Sequence, residues 1–478
     1  MTKREKITIW SLIGLYTFIV GGFSMLRHYQ FQTQTWDMGV FIQMIWNTTQ
    51  GRIFFTRIAD APNHLGVHFT PILFLVVAGY YLFQSPYFLL LIQALALALG
   101  ALPLYLLSKK ILENKKTALV VTISYLLYPS LHWVNVYDFH AIPFLIPLLL
   151  GGFYFIEIKK WGTAIIFLIL ATLVKEDAIL VVMITGLYLL IRPKAETPHS
   201  GWTRERKIGT GVAITALIYF LIVIKIIMPA LGGGLLRFDR YADLGGSLPE
   251  IVKNIATNPK LLFETIIIPQ KIRYLALIFI PVAFLPFLAP RALILLVPGL
   301  AENLLTSYSF QFSNFYQYDA VLIAGMFIAT VMGLKTIQNR WPKKEKLAVI
   351  VLSIGTLGAF FTNSPINPVT VPKELFKQNA DWQTLREIIN NIPDNASLTA
   401  PTTVVPHVSH RDYIYMINKE PFKTDIVLID AADSFGFENS EAFQKYVDDY
   451  AANEEYTVEV IDDRYIQFTK KSFSETKQ

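Results

Sequence analysis

Apolar runs of close to twenty residues recur along this chain, each long enough to cross a bilayer core as a helix. The first, Ile7 to Met25, follows the basic start MTKREK and ends at no small-residue cleavage pattern, so it reads as a retained span rather than a secretory signal. Composition agrees: 53% of residues are hydrophobic and 16% charged, which excludes an ordinary soluble domain. Cysteine is absent, which removes disulfides, thiolate nucleophiles and Cys-based metal sites. The formal charge of +6 says little about nucleic acid, because the basic residues cluster between apolar runs.

Those clusters set a topology. Lys and Arg gather at 3–6, 109–116, 159–160, 192–207, 290–291 and 335–346, whereas the alternating loops 128–140 and 307–318 contain neither. Short basic loops stay in the cytoplasm, which places the N-terminus inside a multi-pass protein of the cytoplasmic membrane. The expected spans are 7–26, 87–108, 117–131, 141–158, 162–174, 178–191, 208–229, 272–288, 292–306, 319–334 and 346–362, about eleven transmembrane helices in a polytopic α-helical protein. The apolar segment HFTPILFLVVAGYYLF (68–83) would invert every later loop if it crossed, so it reads as shallow or re-entrant.

This topology gives a transmembrane domain over 1–362 with a first outer loop at 27–86 and a second long outer loop at 230–271. Residues 363–478 follow as an extracytoplasmic tail. In it DWQTLREIINNI and SEAFQKYVDDYAANE have helical periodicity, while ASLTAP, TDIVLIDAAD and YTVEVIDDRYIQFT read as strands, the last a pair around the DDR turn. The expectation is a small α/β domain without a catalytic motif.

Ionisable residues beside the spans fall mostly on the outer side: Asp37, His64 and His68 in the first loop, Asp138 and His140 in VYDFHAIP, Lys175, Glu176 and Asp177 in LVKEDA, and Arg237, Asp239, Arg240, Asp243, Lys271 and Arg273 in or beside the second loop. Such groups near hydrocarbon are costly and are paired, wet or functional. Each also has a plain structural reading. Asp37 suits a helix N-cap. KED suits an interfacial turn with a snorkelling Lys. Asp138 and His140 suit a cap on the fourth span. His64 and His68 have the i, i+4 spacing of a ligand pair, against which Gly66 and Pro71 argue for a loop. The aromatics of WNTTQGRIFF suit an interfacial belt. Asn47-Thr48-Thr49 and Asn395-Ala396-Ser397 match the glycosylation acceptor pattern.

The segments WDMGVFIQMIWNTTQGR, NHLGVHFTPILFL, YDFHAIPFLIPLL, LVKEDA and PHVSHRDYIYMI together resemble the prokaryotic membrane proteins called domain of unknown function 2079, over nearly the whole chain. That family looks like a remote branch of the GT-C glycosyltransferases, which pass a sugar from a polyprenyl phosphate or diphosphate carrier to an acceptor outside the cytoplasm. The resemblance implies a GT-C-like fold, Asp37 as the first-loop acid and general base, and Asp138 as a second acidic position. It places His64 and His68 near a His-Pro motif, from which Pro71 is here separated. Met38 stands where a second acid would follow Asp37, which weighs against a divalent cation and for a single base.

The implied chemistry is inverting transfer. Asp37 takes the acceptor proton, its basicity raised by burial among Trp36, Phe41 and Trp46. Arg237, Arg240, Lys271, Arg273 or Lys175 holds the departing phosphate, and the helix at 68–83 lines an entry for the prenyl chain. The substrate-side set is completed by His64, His68, Asp138, His140, Glu176 and Asp177. Expected partners are a polyprenyl-phosphate sugar donor, a glycan, lipid or protein acceptor, and the bilayer, with no nucleic acid. The rival reading is a transporter or lipid flippase whose ionisable residues line a pathway.

Overall fold

The computed structural model describes residues 1–192, 203–419 and 423–475 of the 478-residue chain. Residues 193–202 of the basic loop 192–207 lie outside the described residues. Among those described, five helices are long and apolar enough to cross a membrane: Lys3–Tyr29, Pro86–Leu112, Arg204–Ala230, Gln317–Arg340 and Pro342–Asn363. Two bent pairs, Lys115–Leu126 with Pro129–Val136 (41°) and Pro259–Ile266 with Pro269–Val282 (71°), raise the number to seven if each is one span. This is fewer than the eleven expected. The apolar stretches at 141–158, 162–174 and 292–306 are shorter helices, Ile142–Glu157, Trp161–Thr172 and Ala292–Leu305. Proline supplies one cause of the bends. Pro129 sits at the start of the second half of its pair, where a missing N–H costs nothing but the preceding turn cannot continue. The segment at 68–83 holds a helix of ten residues, Leu73–Leu82. At 1.5 Å per residue it is about 15 Å long, half of a hydrocarbon core.

The chain forms two compact units. One comprises residues 1–24, 65–74 and 90–371, and the other residues 25–64, 75–89 and 372–478.

In the first unit, polar side chains tie basic loops to one another. Lys109 Nζ donates to both oxygens of Glu5 at 2.8 and 2.9 Å. Glu345 accepts from Asn114 (3.3 Å), Thr117 (3.1 Å) and Gln338 (2.9 Å), and Gln338 also donates to Leu112 O at 3.1 Å. The clusters at 3–6, 109–116 and 335–346, separate in sequence, therefore share one end of this unit. A second junction forms around Arg192, which pairs with Glu157 at 2.5 Å and with Glu205. Helices 176–191 and 204–222 pack at contact distance because a Cβ on Gly186 would lie 2.6 Å from Gly209 O.

The second unit is built on a five-stranded sheet of order β2-β1-β3-β5-β4: β1 Leu398–Ala400, β2 Ile414–Met416, β3 Ile426–Asp430, β4 Tyr456–Ile461 and β5 Tyr465–Lys470. β2, β1 and β3 are parallel, and the β4–β5 hairpin joins β3 antiparallel. Asp462 and Asp463 both take φ of 53° in the hairpin turn. The expected helices appear as Ala380–Asn391 and Ser440–Ala451. Strand β2, only three residues long, has too little pattern to be read from sequence. Residues 363–478 do not form this unit by themselves. Phe31, Val40 and Ile58 of the first loop are buried in the same core as Leu385, Leu398, Val405, Leu428 and Tyr465. Ile417, Val427, Phe443, Tyr450 and Phe468 make a separate core.

Candidate active site

In the first unit the KED sequence forms a sharp corner. The helix Trp161–Thr172 ends, Lys175 turns fully extended (φ −167°, ψ 160°), and the helix Glu176–Ile191 begins with two acids in its first turn. Acids there are favoured by the unpaired N–H groups of a helix start. Glu176 Oε1 meets His68 Nδ1 at 2.8 Å and its Oε2 accepts the Phe69 N–H at 2.9 Å. Ile72 N–H donates to Leu173 O at 2.8 Å, so residues 68–72 are docked on this corner by backbone as well as side chain. Lys175 Nζ donates to Asp177 Oδ2 at 2.5 Å. Burial would lower the Lys175 pKa, but Asp177, Glu176 and Glu302 outweigh it and raise it above the usual lysine value. The corner therefore keeps a permanent cation beside carboxylates.

Glu302, in the helix Val297–Leu305, lies within electrostatic reach of Asp177, Lys175, Glu176 and Arg240. Arg240 is held by the lysine- and arginine-free loop 307–318. Its Nη1 donates to Gln311 Oε1 (3.2 Å) and Tyr318 Oη (3.4 Å), its guanidinium lies 4.0 Å over the Tyr308 ring, and its carbonyl accepts Ser307 N–H at 2.8 Å. Five N–H donors leave a guanidinium so held with a further edge to offer. Gln311 also reaches Tyr241 Oη at 3.3 Å.

The same loop runs to the YDFH segment through aromatic contacts. Tyr308 meets Phe310 (5.0 Å between centroids), Phe310 meets Tyr316 (5.0 Å), Tyr316 meets Tyr137 (4.6 Å), and Tyr137 stacks on His140 (5.7 Å). Gln93, fully buried, pins residues 138–140. Its Nε2 donates to Asp138 O at 2.7 Å and its Oε1 accepts His140 N–H at 2.8 Å. Asp138 is 1% exposed and sits at φ +38°, a conformation disfavoured for a residue with a Cβ. The following helical turn is capped by Ala141, so neither Asp138 nor His140 serves as the cap of the fourth span.

Lys271 has a different role from the phosphate ligand expected. Its three donors go to three carbonyls, Thr265 (3.0 Å), Leu304 (2.8 Å) and Thr306 (2.9 Å), the last two at the end of helix 297–305. An ammonium has three hydrogens, so none is left for a ligand. It closes a helix C-terminus, where exposed carbonyls and the helix dipole favour a cation. Arg237 and Arg273 are exposed. Gly66 and Gly233 bring residues 65–74 against the second loop. Gly234 N–H donates to Gly66 O at 2.9 Å, and a Cβ on Gly233 would lie 2.0 Å from that oxygen.

In the second unit a π-helical turn, Thr35–Gly39, runs straight into the helix Val40–Thr49. Gln34 is the capping residue, so Asp37 lies in the first turn and is not the N-cap. The helix is held along residues 402–412. Thr35 Oγ1 donates to Thr402 O (3.0 Å), Val405 packs on Gly39, Gln43 Nε2 donates to Arg411 O (3.3 Å), and Arg52 pairs with Asp412. These are the positions of PHVSHRD and its neighbours. Asp37 is half-buried. Trp36 is 42% exposed, Trp46 stacks on His410 at 6.1 Å with Arg52 at 5.6 Å, and Phe41 packs on His64 at 5.1 Å. His64 and His68 bracket a helix of four residues, His64–Val67, and have different partners. Among the described residues no group of three or more His, Asp or Glu side chains is placed to hold a metal ion.

Thus His68, Lys175, Glu176, Asp177 and Arg240 share one neighbourhood, and a relay of ring contacts along loop 307–318 leads from it to Tyr137 and His140. Glu302, Tyr308, Gln311, Tyr316 and Tyr318 belong to it but were not singled out from sequence. The one signal available was that loop 307–318 lacks Lys and Arg yet is dense in Tyr, Phe and Gln.

The fold is similar to that of ArnT from Cupriavidus metallidurans bound to undecaprenyl phosphate, with a TM-score of 0.59 and 11% identity over 98% of each chain. The apo form of the same protein gives 0.56 and 11%, over 97% of this chain and 98% of that one. An oligosaccharyltransferase from Archaeoglobus fulgidus, tethered to an acceptor peptide, gives 0.47 and 11%, over 89% and 69%. The likeness to ArnT gives the chain a GT-C-like helical membrane fold. No curated protein sequence is significantly similar. The description "predicted membrane protein (DUF2079)" matches residues 27–467, nearly the whole chain, and to that family this protein belongs.

Proposed function

We propose that this protein is a membrane glycosyltransferase that moves a sugar from a polyprenyl-phosphate carrier to an acceptor on the outer side of the cytoplasmic membrane. The observation that carries the reading is the likeness, over 98% of both chains, to a protein seen with undecaprenyl phosphate. A cation-bearing rim built from Lys175 and Arg240 supports it, because the leaving group is a phosphate. In this mechanism the acceptor hydroxyl attacks the anomeric carbon, and the Asp37 carboxylate takes its proton. The carbon–oxygen bond to phosphate breaks, and the phosphate leaves with the electron pair. The forked guanidinium of Arg240 suits the developing charge, with Lys175 as a second cation and exposed Arg237 and Arg273 as outer contacts. Single displacement inverts the anomeric centre. His68 is oriented by Glu176, and Asp138 and His140 act as acceptor-side groups. In this proposal the N-terminus is cytoplasmic and the C-terminal domain, residues 363–478, is extracytoplasmic.

The test uses membranes containing the full chain and a radiolabelled polyprenyl-phosphate sugar. Release of free polyprenyl phosphate and appearance of label in an acceptor are expected, both abolished in Asp37→Asn with unchanged thermal stability. Full transfer by Asp37→Asn removes the base role. Flux of an unaltered carrier across proteoliposomes, without turnover, replaces the transferase by a lipid transporter.

A further inference from the structure

The basic end of the first unit carries a groove that the transferase reading does not use. Its origin is a broken span. The helix Pro269–Phe279 and its 3-10 extension stop at Ala283 and Phe284, both at φ +53°, well inside the apolar run 272–288. The chain then continues in tight turns through Pro286 and Pro290. Two long helices close on this irregular stretch. A Cβ on Gly333 would lie 2.1 Å from Leu285 O, so helix 320–340 approaches to backbone contact there. Thr356 Oγ1 donates to Pro281 O at 2.7 Å, satisfying a carbonyl freed by the break and seating helix 345–363 on the other side. Between the three segments lies a groove of about 320 Å³, of the size that holds small molecules. Its walls are apolar: Leu285, Leu288, Ile337, Leu347 and Val351.

The rim is a different chemistry. Trp341 and Lys344 line it, the Trp 45% exposed. Both belong to NRWPKKEK, the turn between the two long apolar helices, where an indole marks the level of lipid headgroups. The acid of that turn, Glu345, faces inward to Asn114, Thr117 and Gln338, whereas Lys343, Lys344 and Lys346 are exposed. Those contacts also bring the basic loop 109–116 to the same end. An apolar slot roofed by a cationic, Trp-bearing turn matches one occupant by charge and shape.

We infer that this groove binds a single anionic glycerophospholipid, one acyl chain between helices 320–340 and 345–363 and the headgroup phosphate on Lys344 beside Trp341. The lipid fills the notch left by the broken span and bridges it to the long helices. This site is separate from the rim around Glu176 and does not depend on the transferase reading.

Native mass spectrometry of the full-length protein in mild detergent tests it, with phosphatidylglycerol and phosphatidylcholine titrated as probes. Wild type is expected to retain one phosphatidylglycerol in preference to phosphatidylcholine by at least about fivefold, the gain from one basic side chain near a headgroup. Lys344→Glu removes the preference, and Ala348→Trp, which fills the groove, removes retention of that lipid altogether. Lys260→Glu, which alters an exposed cation of the second loop, leaves both unchanged. Equal retention of the two lipids by wild type overturns the inference, as does full phosphatidylglycerol retention in both Lys344→Glu and Ala348→Trp.

Discussion

His68 and Glu176, 108 positions apart, meet with Nδ1 2.8 Å from Oε1, and the second carboxylate oxygen takes the neighbouring Phe69 N–H at 2.9 Å. One side chain thereby orients an imidazole and anchors the backbone that follows it. Glu176→Ala loses both bonds and leaves a buried amide without its acceptor. Hydrogen bonds to charged groups contribute about 1.5–3 kcal/mol each, so a clear fall in melting temperature is expected, with faster proteolysis near residues 68–72. Glu176→Gln retains part of the stability. An Ala variant as stable and protease-resistant as wild type would show that the contact holds nothing in place.

Lys271 is expected to behave as a structural cation. Lys271→Met removes the donor from three carbonyls and destabilises the protein by about 1–3 kcal/mol, while binding of the proposed polyprenyl-phosphate carrier per folded molecule is unchanged. Arg240→Ala does the opposite, weakening carrier binding tenfold or more. Binding isotherms and melts on both variants decide the matter. Lost binding with normal stability in Lys271→Met returns this residue to the phosphate site.

The loop 230–271 depends on a contact that only glycine permits. A Cβ at Gly233 would stand 2.0 Å from Gly66 O, against backbone that cannot rotate away. Gly233→Ala is therefore expected to break the Gly234–Gly66 hydrogen bond and expose the loop to protease, whereas Gly232→Ala, whose Cβ meets nothing within 4 Å, suffers only the strain of its φ of +81°. Limited proteolysis of the two variants distinguishes packing from chain flexibility. Equal cleavage removes the packing account.

The second unit should lose stability in mild acid. Burial pushes the His407 and His410 imidazoles below their usual value. His28 and Arg386 add to this at His407; at His410 Asp394 opposes it and Arg411 adds to it. The folded chain thus keeps both neutral. Above about pH 6.5 the unfolded chain is neutral at these positions as well, and stability is unaffected. As pH falls below that, the unfolded state takes up protons that the folded state refuses, and stability drops by up to about 1.4 kcal/mol per pH unit for each histidine. The loss levels off once the lowered folded-state values are passed. Melting temperatures from pH 7.5 to 5 should decline in wild type and decline less in His410→Gln. A flat profile would mean these rings are hydrated.

The apolar runs and the placing of Lys and Arg between them determined much without any coordinates. They gave a helical membrane protein, a first loop headed by Asp37, and a mixed helix–strand tail. These are local properties, set by hydropathy, charge and periodicity over short windows. The resemblance of WDMGV, YDFH and KEDA to one family also needed no structure, because short motifs survive in sequence order.

Tertiary structure alone decided which residues meet. Lys175 and Glu176 were legible as candidates, but Glu302, Gln311 and Tyr308 became their neighbours only through the return of loop 307–318. The same packing took Lys271 out of the ligand set, since nothing local says that helix 297–305 ends at its ammonium. It also put residues 25–64 into one hydrophobic core with strands hundreds of positions away. Proline and paired left-handed residues broke spans that hydropathy reads as continuous, because hydropathy measures transfer to lipid and is silent about backbone angles. A chain's pattern reports what each segment prefers to be next to, water or hydrocarbon; which particular partner it finds is set by packing over distances that no local pattern encodes.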